Sequence, residues 1–122
     1  MRCLLMLALC LSLSGCFELF SCGNEVLWEG KSPSGNLTAT MFKRNCGATT
    51  GYSQVIAVRA SATAFDGEDN TNWVFLSDAE PPTKAAWEGN DVLRIHRLSG
   101  KGVFLEVHVF RGMQIRYNDE PL

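Results

Sequence analysis

The chain has 122 residues, a formal net charge of −2 and a 46% hydrophobic composition, which suits one small domain and leaves no room for two. Its 11 Lys and Arg are balanced by 13 Asp and Glu and form no basic block, so the electrostatic footprint of a nucleic-acid binder is missing. Nucleic acid is not an expected partner.

At the N-terminus Arg2 supplies a positive charge, and Cys3 to Leu13 is an apolar run of the length of a signal-peptide core. Leu13, Ser14, Gly15 and Cys16 close this run with a small-small-Cys step that resembles a bacterial lipobox. The pattern predicts a helical signal peptide over 1–15, cleavage before Cys16, and a lipid thioether on the Cys16 sulfur. A spanning helix needs about 20 apolar residues, and Ser12, Ser14, Gly15 and Glu18 interrupt the run too early. Cys10 is the poorer cleavage site, because bulky Leu9 precedes it. Each buried methylene contributes about 0.8 kcal/mol, so two or three acyl chains hold the protein firmly. Phe17 stands where an Asp would, by resemblance to enteric lipoproteins, retain the protein at the inner membrane. The expected location is the outer membrane, with the domain facing the periplasm. Residues 16–24 then form the lipidated tether, 25–118 a single β domain and 119–122 a tail.

Once Cys3 and Cys10 leave with the signal and Cys16 carries lipid, Cys22 and Cys46 remain as an even pair in an exported chain, which predicts a disulfide. Closing a loop of about 25 residues stabilises by roughly 3 to 4 kcal/mol on the chain-entropy model. The competing use of Cys46 as a nucleophile, with His96 or His108 as base, conflicts with an oxidising compartment and an available partner cysteine.

Along the domain, Glu25 to Glu29 reads as a strand, and Ser32 to Asn36 is rich in turn formers. Leu37 to Arg44 alternates with period 2, and Gln54 to Arg59 is a strand with a mostly buried face. Asp66 to Asn70 reads as a flexible, solvated acidic loop. It lacks the ligand order of an EF-hand calcium loop. Trp73 to Ser77 and Lys84 to Trp87 are short strands. Val92 to Leu98, Val103 to Phe110 and, after a turn at Arg111 and Gly112, Met113 to Tyr117 follow as a three-stranded meander. The fold expected is all-β: a small antiparallel sandwich or partly open barrel of about seven strands.

Strict alternation puts Val103, Leu105, Val107 and Val109 toward the core, with Phe104, Glu106, His108 and Phe110 outward. In a meander His96 and His108 then lie roughly 13 Å apart or on opposite faces, too far for one metal ion. They read as half-exposed sheet histidines beside Glu106 and Arg94. Trp28, Trp73, Trp87 and Tyr117 read as core, while an outward Phe104 and Phe110 pair is a candidate contact patch.

Ser32, Pro33, Ser34 and Gly35, the strand ending Lys43, Arg44 and Asn45, and the run Cys46 to Ser53 together resemble a family of uncharacterised small bacterial lipoproteins and membrane-anchored proteins. Their shared pattern is Ser-Pro-Asp-Gly, a strand, then Cys/Gly-Gly-Ala-Thr-Thr; Ser34 replaces the family's usual Asp. The resemblance implies the fold and the anchor and no assigned activity. Thr49, Thr50, Tyr52 and Ser53 gather hydroxyls beside the expected disulfide. They are candidate binding residues, with His96, Phe104 and His108, although tight turning by small residues explains the same loop. The expected function is a non-catalytic, lipid-anchored envelope protein that binds another envelope protein or a glycan and needs no metal or cofactor. A periplasmic inhibitor or immunity protein is one alternative. A small hydrolase pairing Thr49, Thr50 or Ser53 with His96 or His108 is another, and it requires a histidine within about 4 Å of a loop hydroxyl.

Overall fold

Period-2 alternation becomes strand pairing throughout the domain. The computed structural model describes residues 22–47, 51–78, 83–97 and 102–119; the expected signal helix over 1–15, Cys16, Thr49 and Thr50 lie outside them. Nine strands are present among the described residues: β1 (Gly23–Lys31), β2 (Leu37–Asn45), β3 (Tyr52–Ala60), β4 (Trp73–Asp78), β5 (Lys84–Gly89), β6 (Val92–Arg97), β7 (Val103–Glu106), β8 (Val109–Phe110) and β9 (Met113–Asp119). Sheet I has the order β1-β2-β3-β4-β7 and sheet II the order β5-β6-β9-β8. They pack as an open sandwich rather than a closed barrel.

Sheet I is built on two long hairpins. Between β1 and β2, Ser32 closes the turn: its N–H donates to the Leu37 carbonyl at 2.8 Å, its carbonyl accepts from Gly35 N, and its hydroxyl accepts from Leu37 N at 3.2 Å. Pro33 presets the turn, and Gly35 supplies the positive φ of 80° that a side chain would resist. At the far end of this hairpin, Cys22 and Cys46 form the expected disulfide just outside the Gly23 and Asn45 pair, with Cα atoms 4.2 Å apart. β3 buries Val55, Ile56, Ala57 and Val58 in succession because both of its faces are covered.

One face meets sheet II. Ala39, Met41, Ile56, Val58 and Phe75 pack there against Leu93, Ile95, Met113 and Ile115, with Trp28, Trp87, Phe110 and Tyr117 around them. The other face carries a smaller core of Phe42, Val55 and Ala57 under Phe65, Trp73 and Leu76. The acidic segment after β3 covers this second core and is docked, contrary to the expectation of a free solvated loop. Arg44 explains the difference: its guanidinium bonds both carboxylate oxygens of Glu68, at 3.1 and 2.8 Å, donates to the Gly67 carbonyl and lies over the Trp73 ring.

The C-terminal meander is corrected. β7 leaves sheet II and pairs antiparallel with β4, so β6 and β9 become parallel neighbours, and the 103–110 segment divides into two strands. A bulge at Phe104 breaks the alternation, leaving Val103 and Glu106 on the inner face. The corner at Val107 and His108 then inverts the second half: Val109 is 70% exposed and Phe110 turns onto the core, the reverse of the expected facing. Val107 N donates to the Val74 carbonyl at 2.9 Å, and Ile115 N to the His108 carbonyl at 2.9 Å, so this corner stitches one flank of the sandwich. On the other flank the Trp87 indole donates to the Gly30 carbonyl at 2.9 Å and ties β5 to β1.

Candidate functional site

Residues in register across β1, β2 and β3 point to the same side of sheet I. Gly23, Asn45 and Tyr52 form the outermost row on the inner face, and Glu25, Lys43 and Gln54 form the next. Gln54 is buried and marks where the inter-sheet space closes: its carbonyl accepts from the Thr83 N–H and hydroxyl, both at 3.0 Å, and its amide donates to the Asp78 carbonyl. Beyond it, among the described residues, sheet I projects past sheet II and leaves a ledge. A cleft of about 330 Å³ lies there, lined by Gly23, Asn24, Glu25, Lys43, Asn45 and Tyr52.

The ledge is braced by local contacts. The Cys22–Cys46 bond fastens its outer rim, and the floor is open because residue 23 has no side chain; a Cβ there meets only the Asn45 carbonyl, at 3.8 Å. Tyr52 is 51% exposed, and the Lys43 ammonium stands 4.1 Å from its ring centroid. The Asn45 side-chain carbonyl accepts from Gly47 N at 3.1 Å, which leaves the amide NH₂ as its remaining donor group.

The other candidates disperse. Ser53 pairs with Arg44 and Asp78 in register, so its side chain belongs to the outer face of sheet I. His96 pairs with Lys84 and Asn118, alternates with inward Ile95, and belongs to the outer face of sheet II. These two residues stand on opposite outer faces of the sandwich. Phe104 is 66% exposed on the β7 edge, while Phe110, its expected partner in a patch, is turned inward.

His108 stands beside Glu106 in a cluster that also takes in Arg97 and Tyr117. Its Nε2 lies 3.6 Å from Glu106, and its ring meets Tyr117 edge-on at 5.2 Å. Glu106 also accepts from Arg97 at 2.5 Å, and the Arg97 guanidinium lies 5.0 Å from the Tyr117 ring. The Tyr117 hydroxyl donates to the Val107 carbonyl at 2.8 Å. Burial, reinforced by the Glu106 carboxylate, pushes the Tyr117 phenol well above its ordinary range and keeps it a donor. The cluster is a clasp between the sheets. Among the described residues, no three His, Cys, Asp or Glu side chains gather as metal ligands.

Lys43 and Asn45 were within reach of the sequence, because alternation from Met41 places them on one face. That this face emerges from under sheet II depends on the length of the second sheet. No protein-family model matches the chain, and no curated protein or solved structure does either.

Proposed function

We propose that this chain is a non-catalytic, lipid-anchored protein of the bacterial envelope, fixed to the outer membrane through Cys16 and binding another envelope component through the ledge at the disulfide end of sheet I. The observation that carries this reading is the ledge itself: a concave, disulfide-fastened surface that presents a half-exposed tyrosine among polar groups. The lipobox pattern and the family resemblance both support the anchor. The separation of Ser53 from His96 weighs against a Ser-His hydrolase, whose base must reach its nucleophile.

The test is photo-crosslinking in intact cells from Glu25, an exposed residue of the ledge, compared with Ala86, an exposed residue on the outer face of sheet II. A recurrent envelope partner captured from Glu25 and absent from Ala86 is the expected outcome. Equal capture from both positions, or capture of neither protein nor glycan from either, rejects the ledge as the binding surface.

A further inference from the structure

Resting on that reading of the ledge, we infer that its ligand is a neutral pyranose glycan, with the Tyr52 ring as the stacking platform. Size is the first reason. A cleft of about 330 Å³ matches one or two sugar rings, whereas a stable protein interface buries more than about 1,000 Å² around a cluster of apolar anchors. Tyr52 is the aromatic side chain among the lining residues, and the rest are polar or glycine.

Chemistry is the second reason. Lys43 lies over the Tyr52 ring, yet half of the tyrosine remains open to solvent. A half-exposed aromatic side chain suits the C–H face of a pyranose, which buries apolar carbon while its hydroxyls stay at the rim. Those hydroxyls need both donors and acceptors. Glu25 supplies a carboxylate acceptor, and Asn45 and Lys43 supply donors. Glu25 and Lys43 are register neighbours of opposite charge, so their fields largely cancel over the ledge. A neutral ligand suits such a site better than an ionic one. Gly23 is the specificity element, because any side chain at that position projects into the cleft where the ring would sit.

The test uses the full lipidated chain in detergent micelles, with chitotriose and maltotriose as neutral probes. Saturation-transfer NMR reads contact with the sugar C–H protons, and co-sedimentation with isolated sacculi reads binding to an envelope glycan. Expected are transfer to at least one trisaccharide, with retention on sacculi accompanying it, and a loss of at least tenfold in both Tyr52→Ala and Gly23→Val. Gln114→Ala, on the outer face of sheet II, should bind as the parent does. Intact disulfide and unchanged circular dichroism exclude misfolding of the variants. Binding that survives both ledge substitutions overturns the assignment. Absence of glycan binding together with a protein captured from Glu25 overturns the glycan and leaves the binding module standing. Absence of both overturns the two readings together.

Discussion

The Arg44 guanidinium grips the Glu68 carboxylate at 2.8 Å, and through this pair a strand of sheet I holds down the acidic loop that follows β3. The loop packs closely beside it: a Cβ at Gly67 would stand 2.6 Å from the Asn24 amide nitrogen. The hydrogen bond from Arg44 keeps the Glu68 carboxyl below its ordinary value of 4.5. A lowered carboxyl contributes stability above its unfolded-state pKa and loses it as pH falls through the folded-state value. Docking of residues 65–69 should therefore loosen as pH falls below the ordinary carboxyl value of 4.5. Arg44→Ala should loosen it at neutral pH. The Trp73 indole N–H resonance reports both, because Arg44 lies over that ring; a resonance indifferent to pH and to the substitution contradicts this account.

Reduction of Cys22–Cys46 opens the end of the β1–β2 hairpin. With a sequence separation of 24 residues, the Cys22→Ser/Cys46→Ser double variant should lose about 3 kcal/mol in urea unfolding. A loss below about 1 kcal/mol would contradict the chain-entropy account and mean that the reduced, unfolded chain already keeps these two ends close.

Tyr117→Phe keeps the ring between Phe75 and His108 but removes the hydroxyl from the carbonyls of Val107 and Val74. The expected cost is about 1 to 3 kcal/mol, because buried acceptors are left without that donor. In the parent the raised phenol makes the fold lose stability as pH climbs past its ordinary value of 10.0, where the unfolded chain ionises first. Thermal unfolding at pH 8 and pH 11 should show the parent losing more of its stability than Tyr117→Phe does. Equal losses would remove Tyr117 as the cause.

For the anchor, Cys16→Ala should abolish incorporation of a labelled fatty acid and leave the chain unprocessed or released in soluble form. A parent chain that takes up no label and keeps residues 1–15 would instead identify an uncleaved helix.

Strands β2 and β3, the Ser32 to Asn36 turn and the Arg111 and Gly112 hairpin were legible because each depends on side-chain alternation or backbone preference within a few residues. Arg111 and Gly112 indeed take positive φ values of 50° and 80°, as a two-residue hairpin demands. The disulfide was legible from the remaining cysteines. The candidate site was legible only in part: Tyr52 was singled out, but its neighbours Gly23, Glu25, Lys43 and Asn45 come from strands that the sequence does not show ending beyond sheet II.

The linear pattern of this chain determined that it would form strands, roughly where they turn, and which cysteines would meet. Tertiary structure alone decided which sheet each strand joins. A bulge at Phe104 reverses the alternation locally, and the unpaired edge of β4 competes with β6 for the strand that follows, so β7 crosses between sheets and leaves β6 beside β9. The docked acidic loop and the ledge have the same origin. Each depends on the distance between residues far apart in the chain, such as the 24 that separate Arg44 from Glu68, and alternation carries no information about such distances.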